Sequence, residues 1–283
     1  MSSPVWFITG ASNGFGLLLC LRALRANQRV VGTVRSKAKS ADAVRQIESA
    51  GGQVIELDLN EPKESITRKV KAVGQIDYLV NNAGFFVMGA VEQVTAEEAQ
   101  LQMQTNFFGP LYVTQAALEG MRLRRAGAVA NLSSIAAKDP QPTSALYAAS
   151  KAALEAVSES LAAEVAAFDI SVLIVEPGAF RTNFLAAYSA PAAPLPDHYE
   201  GETAVARARE YFATGGGTQA GDPQKGVDRI YEALTGEGLA GKLKGKVARL
   251  VIGPDALRRM RKSNDKFLAD LALGEEVALS TDF

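Results

Sequence analysis

Short apolar segments alternate with longer helical segments along almost the whole chain. The apolar segments are rich in Val, Ile and Leu, as in strands that are buried on both faces of a sheet. The predicted strands are Val5–Thr9, Arg29–Val34, Val54–Leu57, Asp77–Val80, Ala128–Leu132, Ser171–Val175 and Arg249–Ile252. The predicted helices are Phe15–Ala26, Ala41–Ala50, Glu61–Val73, Ala96–Arg125, Ala145–Phe168 and Pro223–Leu234. This alternation predicts an α/β fold: a doubly wound parallel sheet of about seven strands with helices on both faces, in a single domain over residues 1–283.

The charge and the cysteine count narrow the classes of function. The net charge is −1, so no global field attracts the chain to nucleic acid or to an anionic membrane, and we expect a small-molecule partner. Cys20 is the only cysteine and His198 the only histidine, which argues against a structural disulfide and against a metal site. No signal peptide and no apolar run long enough to span a membrane is recognisable, so we expect a cytoplasmic protein.

A glycine-rich turn follows the first predicted strand and opens the first helix. Its sequence is Thr9-Gly10-Ala11-Ser12-Asn13-Gly14-Phe15-Gly16, in which the glycines are spaced Gly-x-x-x-Gly-x-Gly. Glycine permits a tight turn and a close approach of the backbone to a pyrophosphate, whose charge is stabilised by the helix N-terminus. The position after the first strand favours nucleotide binding over a purely structural turn. The candidate contacts are Gly10, Ser12, Asn13, Gly14, Phe15 and Gly16.

The end of the second predicted strand bears on the choice of cofactor. In a dinucleotide-binding fold an acidic residue here binds the ribose hydroxyls, whereas an arginine accommodates a 2′-phosphate. No Asp or Glu lies between Gly16 and Asp42, while Arg35, Lys37 and Lys39 cluster there. A solvated basic loop is the alternative. The guanidinium fork and the missing carboxylate favour NADP(H), with NAD(H) less favoured.

Two further segments follow predicted strands at the same edge of the sheet. Asp58, which precedes Leu59, either accepts a hydrogen bond from an adenine amino group or caps the next helix. Asn81-Asn82-Ala83-Gly84 ends the fourth strand, where its amides lock neighbouring strands together or its backbone lines a cofactor cleft. The candidate cofactor contacts are Asp58, Leu59, Asn82, Ala83 and Gly84.

Tyr147 and Lys151 are four residues apart on an alanine-rich helical segment, so their side chains lie on one helix face. An ammonium group near a phenol favours its ionisation, and we therefore expect the pKa of Tyr147 to lie below the ordinary value of ~10. Ser134, thirteen residues upstream of Tyr147, is placed to hydrogen-bond the same reacting oxygen. The pair alone is a weak signal, because surface Tyr/Lys pairs are common.

Asn106 lies inside a long helical pattern, just before Phe107-Phe108-Gly109-Pro110. A Gly-Pro pair within a helix interrupts the backbone hydrogen bonds and indicates a kink. The amide of Asn106 either belongs to that kink or holds a water molecule behind the lysine.

In their order and spacing these motifs resemble the short-chain dehydrogenase/reductase (SDR) family, over about residues 4–255. Beside the glycine turn, the features that carry the resemblance are Asn81–Gly84, Asn106, Ser134, Tyr147 with Lys151, and Pro177-Gly178 with Thr182. The resemblance implies a Rossmann-type fold and an NADP-preferring, carbonyl reductase-like member of the family.

The resemblance also implies a role for each residue. Tyr147 would be the general acid/base, Ser134 would orient and polarise the substrate carbonyl, and Asn106 would support a proton-relay water. Lys151 would hold the nicotinamide ribose and lower the pKa of the tyrosine. The segment lining the nicotinamide carboxamide would contain Pro177, Gly178 and Thr182.

The implied activity is NADP(H)-dependent hydride transfer between nicotinamide and a carbonyl or secondary alcohol. Two alternatives stay open: a protein that binds NADPH without redox turnover, and a relative that catalyses dehydration, epimerisation or cyclisation. Members of the family commonly form homodimers or homotetramers through their long helices. We therefore expect a symmetric homo-oligomer in which Ala96–Arg125 and Ala145–Phe168 pack against their copies.

Residues 180–222 interrupt the alternation with an Ala/Pro-rich stretch, a short polar helix and Gly215-Gly216-Gly217. A long insertion after a strand predicts a substrate lid, with a plain surface loop as the alternative. Residues from about 254 to 283 form a C-terminal helix or tail. The candidate pocket residues are mostly apolar and aromatic, which predicts an uncharged, fairly hydrophobic substrate. They are Phe85, Phe86, Met88, Ala136, Pro142, Phe180, Phe184 and Tyr188, with Arg181 nearby.

Overall fold

The computed structural model describes residues 3–184, 187–214 and 217–283 and is built around a seven-stranded parallel sheet. The strands are β1 (Val5–Ile8), β2 (Arg29–Val34), β3 (Gln53–Glu56), β4 (Tyr78–Asn81), β5 (Gly127–Leu132), β6 (Ile170–Pro177) and β7 (Arg249–Ile252). Their order across the sheet is β3-β2-β1-β4-β5-β6-β7, and every neighbouring pair is parallel. The predicted doubly wound α/β fold is therefore confirmed.

Helices cover both faces of the sheet. They are α1 (Gly14–Arg25), α2 (Ala41–Ser49), α3 (Lys63–Lys71), α4 (Ala96–Met103), α5 (Gly109–Arg124), α6 (Ala145–Val165), α7 (Ala204–Thr214), α8 (Pro223–Thr235) and α9 (Pro254–Leu279). No helix in the described ranges combines the length and the apolar character needed to cross a membrane.

The two faces of the sheet form two separate cores. Trp6 and Ile8 of β1 pack with residues of α1, α2 and α8, whereas Phe7, between them, packs with residues of α3, α5 and α6. Successive side chains of a strand point to opposite faces, so a strand between two helical layers must be apolar at every position. This is why the strands are continuous runs of Val, Ile and Leu rather than alternating patterns.

The long helix predicted over Ala96–Arg125 is interrupted. A π-helical turn over Gln104–Phe108 separates α4 from α5, and Pro110 lies in the first turn of α5. Proline has no N–H to donate to the preceding turn, so the ladder is rearranged at this point. The predicted interruption of the helical hydrogen bonds before Gly109-Pro110 is confirmed.

The chain runs outward from β1 to β3 and then crosses to β4 on the other side of β1. In a doubly wound sheet this reversal leaves a crevice at the carboxyl ends of the strands. The candidate cofactor residues of the sequence follow the six strands from β1 to β6, so the topology brings them to this one edge.

The segment predicted as a lid, residues 180–222, returns to the body of the protein at several points. Ser189 accepts from the N–H of Met88 at 3.0 Å and donates its own N–H to the Phe86 carbonyl at 2.9 Å. Phe180 forms a β-bridge with Gly221, which closes the base of the segment. Ala186 and Gly215-Gly216, on which part of the lid prediction rested, lie outside the described residues.

Candidate active site

A cleft of about 1270 Å³ opens at the carboxyl ends of the strands and runs from the glycine turn to α7. The predicted cofactor residues that line it are Gly10, Ser12, Asn13, Gly14, Phe15, Arg35, Asp58, Leu59, Asn82, Ala83, Gly84, Tyr147, Lys151, Pro177, Gly178 and Thr182. Ser134 lines it as well. Gly16 and Asn106 lie behind the wall: a Cβ on Gly16 would stand 2.2 Å from the Gly10 carbonyl oxygen, and Asn106 is fully buried.

The glycine turn leaves a helix N-terminus open toward the cleft. Gly10 and Gly14 have φ of +70° and +53°, a region that favours glycine. Asn13 is the N-cap of α1 yet makes no side-chain capping bond, and the first turn has no acidic residue. The N–H groups and the positive end of the helix dipole are therefore available to an anion, as a pyrophosphate requires.

The basic residues after β2 divide between the cleft and the surface. Arg35 and Lys39 line the cleft, whereas the Lys37 ammonium lies 3.5 Å from the Glu48 carboxylate. In the described part of the chain the Arg35 guanidinium has no carboxylate partner within 4.0 Å. This end of the cleft therefore carries cations and an unpaired guanidinium fork.

Asp58 does not cap the next helix. Its Oδ1 accepts from the backbone N–H and the side-chain amide of Asn60, both at 2.9 Å, while the N-cap of α3 is Pro62. The capping alternative is thus wrong, and the carboxylate holds the loop that borders the cleft.

The two asparagines after β4 tie strands and turns together. Asn81 donates to the Asn131 amide oxygen at 2.7 Å and to the Thr114 hydroxyl at 2.9 Å. Asn82 donates to the backbone carbonyls of Thr9 and Gly10 at 2.9 and 3.1 Å, which fixes the glycine turn against β4. Asn81 is buried and structural, whereas Asn82 also lines the cleft, so both roles considered from the sequence are present.

Ser134, Tyr147 and Lys151 meet at the inner end of the cleft. The Ser134 Oγ accepts from the Ala136 N–H at 3.1 Å and also hydrogen-bonds the Tyr147 phenol. Lys151 lies one turn after Tyr147 on α6, with its Nζ 5.8 Å from the centre of the tyrosine ring. That Nζ donates to the Leu132 carbonyl at 2.6 Å, which holds the ammonium at the end of β5.

Burial determines the protonation of both groups. It raises the pKa of Tyr147 to about 12, against a smaller lowering by the Ser134 hydrogen bond. It lowers the pKa of Lys151 to about 8, against the opposing charge of Glu155. The expectation that the pKa of Tyr147 falls below ~10 is therefore wrong for this structure, because desolvation of the phenolate outweighs the lowering by the Ser134 hydrogen bond.

Asn106 sits in the π-helical turn and joins three elements. Its Oδ1 accepts from the Phe85 N–H, and its Nδ2 donates to the Phe85 carbonyl and to the Ser150 hydroxyl, each at 3.0 Å. A Cβ on Gly84 would stand 3.2 Å from Asn106 Oδ1 and 3.4 Å from Lys151 Nζ. The amide thus fixes the loop after β4 to α6, directly behind Lys151.

A buried charge network under the site was missed by the sequence reasoning. Arg249 Nη1 lies 2.7 Å from the Glu155 carboxylate and 2.6 Å from that of Glu176, while its Nη2 lies 2.6 Å from Glu159. Glu155 follows Lys151 by one turn of α6 and accepts from the Ser133 hydroxyl at 2.6 Å. The spacing of Lys151 and Glu155 was a visible signal, whereas the pairing with β6 and β7 was not.

Aromatic side chains surround the tyrosine at the inner end of the cleft. Ring centres of Tyr147 lie 5.2 Å from Phe86 and 5.6 Å from Phe184, and Phe212 lies 5.5 Å from Phe86. Phe212 belongs to α7, so the predicted lid reaches the pocket through a residue that the sequence reasoning had placed in a polar helix. Phe212 contacts Phe86, whereas its neighbour Tyr211 is exposed, so no signal in the sequence distinguished the inward residue.

The predicted pocket residues divide between two cavities. Those that line the main cleft are Phe85, Phe86, Ala136, Pro142, Phe180 and Phe184. Met88 and Tyr188 line a neighbouring cavity of about 300 Å³ instead. Arg181 turns away and donates to the Gln219 carbonyl at 3.1–3.2 Å.

Gly178 has no room for a side chain, partly because of Asp255, a residue outside the sequence motif. A Cβ there would stand 2.3 Å from the Asp255 carboxylate, which accepts from the Ala179 N–H at 2.8 Å. Asp255 lies in the first turn of α9, so this helix fixes the loop after β6 and, through it, the cleft wall.

Comparisons with known proteins agree with this arrangement. Residues 4–192 match the family model described as short chain dehydrogenase. The oxidoreductase claN of Passalora fulva is 40% identical over 193 residues, 67% of this chain and 88% of that protein. A 3-ketodihydrosphingosine reductase of Bacteroides thetaiotaomicron is 37% identical over 185 residues, 65% of this chain and 66% of that protein.

The fold is shared with a solved structure over its full length. A short-chain dehydrogenase from Streptomyces avermitilis superimposes with a TM-score of 0.86 at 37% identity, over 99% of both chains. Both the family model, which spans more than half of the chain, and the ordered site residues lead to one assignment. The protein belongs to the short-chain dehydrogenase/reductase family of oxidoreductases, whose members bind a nicotinamide cofactor.

Proposed function

We propose that the protein is an NADP(H)-dependent reductase of an uncharged, fairly hydrophobic ketone or aldehyde, with Tyr147 as general acid. The observation that carries the proposal is the cleft itself, which joins the cationic end at Arg35 to Ser134, Tyr147 and Lys151. The same residues can run the reverse oxidation of a secondary alcohol.

The chain's residues fit the cofactor. The open N-terminus of α1 suits the pyrophosphate, and the unpaired guanidinium of Arg35 suits a 2′-phosphate. Asp58 and Leu59 would flank the adenine, while the loop of Asn82, Ala83 and Gly84 would line the middle of the cofactor. Lys151 would hold the nicotinamide ribose, and the carboxamide would contact Pro177, Gly178 and Thr182. When bound, the nicotinamide supplies or accepts the hydride.

The protein itself contributes a proton donor, the phenol of Tyr147, placed next to the proposed substrate position. Because burial raises the pKa of Tyr147 to about 12, the phenol carries its proton at neutral pH and can give it to a carbonyl oxygen. The Ser134 hydroxyl, which bonds that phenol, would hold the same oxygen. The Lys151 ammonium stabilises the phenolate that remains after transfer. The protonated tyrosine is the form that carbonyl reduction requires at neutral pH.

The substrate class follows from the aromatic wall. Phe86, Phe184 and Phe212 enclose the tyrosine. An apolar substrate binds favourably against such rings, because its contact with them removes apolar surface from water. The Bacteroides thetaiotaomicron relative, named for reduction of 3-ketodihydrosphingosine, supports a hydrophobic ketone.

The experiment measures NADPH and NADH consumption by the purified protein against a panel of apolar ketones and aldehydes, together with product formation. We expect turnover with at least one carbonyl, a preference for NADPH and one NADPH consumed per alcohol formed. Binding of NADPH without turnover, or product formed without cofactor consumption, would contradict the proposal in favour of a binding protein or a non-redox reaction.

Two tyrosine-to-phenylalanine variants test which residue transfers the proton. Tyr147→Phe should lower kcat by about 10²–10⁴-fold while leaving the dissociation constant of NADPH nearly unchanged, because the hydroxyl acts on the substrate oxygen. Tyr188→Phe makes the same substitution beside the neighbouring cavity and is the matched control. Near-normal turnover in Tyr147→Phe would show that another group moves the proton.

A further inference from the structure

The C-terminal helix α9 projects from the body of the protein. It has 26 residues, about 39 Å at 1.5 Å per residue, and Ala256 is its one buried residue. Its attachment is confined to the first turns, where Arg259 Nε donates to Asp139 at 2.6 Å and Ser263 Oγ donates to the Lys138 carbonyl at 2.6 Å. Within the described residues, no hydrogen bond or ion pair joins the helix after Ser263 to another element.

An exposed apolar stripe runs along the free part of this helix. Phe267, Leu268 and Leu271 are 62%, 61% and 52% exposed, and their spacing of three and four residues places them on one face. Leu257 and Leu279 extend the same face to both ends of the helix, since each lies eleven residues from Leu268. A row of large apolar side chains on an otherwise solvated helix marks an interaction surface.

The charges of the helix are distributed unequally about Leu268. The half before it carries five basic residues, Arg258, Arg259, Arg261, Lys262 and Lys266, against two acidic ones, Asp255 and Asp265, while the half after it carries Asp270, Glu275 and Glu276 and no basic residue. Two such helices laid antiparallel, crossing at Leu268, bring the basic half of each against the acidic half of the other. Arg261 and Glu275, seven residues on either side of Leu268, then face each other across the pair.

We propose that α9 is a self-association surface, through which two copies of the chain pair antiparallel about Leu268. The arrangement is isologous: each Leu257 meets the partner's Leu279, and each Arg261 meets the partner's Glu275. A lipid surface fits less well, because the acidic half of the helix would be repelled by anionic headgroups. This surface is different from the long helices α5 and α6.

The pairing surface is separate from the part of α9 that borders the active-site cleft. Arg259 and Lys262 of α9 line the outer end of the cleft. Lys262 lies eleven residues before Leu273, so it lies on the helix face opposite to Leu268. The proposal does not depend on which carbonyl compound the protein reduces.

The first test is the mass of the full-length protein in solution, by analytical ultracentrifugation over a range of concentrations. Leu268→Lys places two like charges at the symmetry axis and should halve the mass, whether or not other helices add a second interface. Leu273→Lys changes a leucine that is 85% exposed on the opposite face and should leave the mass unchanged. An unchanged mass in Leu268→Lys, or a monomer at all concentrations, overturns the proposal.

The second test determines the relative orientation of the two α9 helices. Arg261→Glu and Glu275→Arg should each weaken the association, and the double variant should restore it, because the exchanged charges pair again only in the antiparallel arrangement. Failure of the double variant to recover overturns the antiparallel pairing. The single variants keep the protein's other elements intact, and far-UV circular dichroism checks that each one is folded.

The third test is disulfide cross-linking of two copies of α9 through introduced cysteines. Cys20 is fully buried, so Leu268→Cys introduces the one accessible thiol of the chain. Under copper-phenanthroline oxidation it should form a disulfide-linked dimer, while Leu273→Cys should remain monomeric on a denaturing gel. Equal cross-linking of both variants, or co-sedimentation of the monomer with phosphatidylglycerol vesicles in place of dimer formation, contradicts self-association through this stripe.

Discussion

Replacing Arg249 by Met should destabilise the protein by several kcal/mol. Arg249 is the cation between two buried carboxylates: Glu155 is 2% exposed and Glu176 is fully buried, and both lie within 2.7 Å of Nη1. Breaking a buried ion pair by removing one partner costs about 3–5 kcal/mol, because the remaining charge stays desolvated. For a chain of 283 residues this corresponds to a fall in Tm of about 5–8 °C.

The assay is urea unfolding followed by circular dichroism, with Lys71→Met as the matched control. Lys71 forms a similarly short ion pair, 2.5 Å from Glu119, but at an exposed position where such a pair contributes only about 0–1 kcal/mol. The double variant Arg249→Met/Glu176→Gln removes one unpaired charge and should recover part of the loss. Arg249→Met within 1 kcal/mol of the unmodified protein, with an unchanged m value, would refute the reasoning.

The same network gives the unmodified protein a pH dependence of definite sign. Burial, and then repulsion from Glu155, raises the pKa of Glu176 well above that of an ordinary carboxyl group. The folded protein therefore holds a proton that the unfolded chain releases as the pH rises above its ordinary value of 4.5. This contribution makes stability fall as the pH rises from there toward neutrality, and the penalty of Arg249→Met should shrink at the acidic end of that window.

Three further outcomes test the cleft. Arg35→Asp should shift the NADPH-to-NADH preference by at least tenfold, since a charge-assisted hydrogen bond contributes about 1.5–3 kcal/mol, and dissociation constants for both cofactors measure it. Alcohol oxidation should accelerate about tenfold per pH unit up to about pH 8, because the phenolate form of Tyr147 is a small fraction below its pKa of about 12 and Lys151 keeps its charge below its pKa of about 8; a rate independent of pH in that range would contradict this. Phe212→Ala should raise KM for bulky apolar carbonyls more than for small ones in a steady-state series, and equal changes across the series would show that α7 does not bound the pocket.

The strands were predictable because their signal is local. Arg29–Val34 and Arg249–Ile252 were placed with the bounds that the structure has, since runs of β-branched residues between turns suffice to define a buried strand. The glycine turn and the Tyr147/Lys151 spacing were equally local. Each is a short motif whose geometry is set within one turn or one helix.

The features that could not be predicted from the sequence depend on packing between residues that are far apart in the chain. The expected lowering of the Tyr147 pKa failed because the burial of the phenol is produced by Phe86, Phe184 and the rest of the fold, not by its neighbours on α6. The pairing of Arg249 with Glu155 joins residues 94 positions apart in the chain. The inward face of α7 was hidden because one aromatic pair in a polar segment has no period to reveal it.

The central claim is that hydride passes from nicotinamide to a carbonyl carbon while Tyr147 supplies the proton. Its most direct measurement uses NADPH with deuterium at both C4 positions of the nicotinamide and a carbonyl substrate from the panel, and reads the mass and position of the label in the alcohol. We predict one deuterium on the carbinol carbon per NADPH oxidised, and loss of labelled product in Tyr147→Phe although NADPH still binds. Unlabelled product, or label that is independent of Tyr147, would contradict the account.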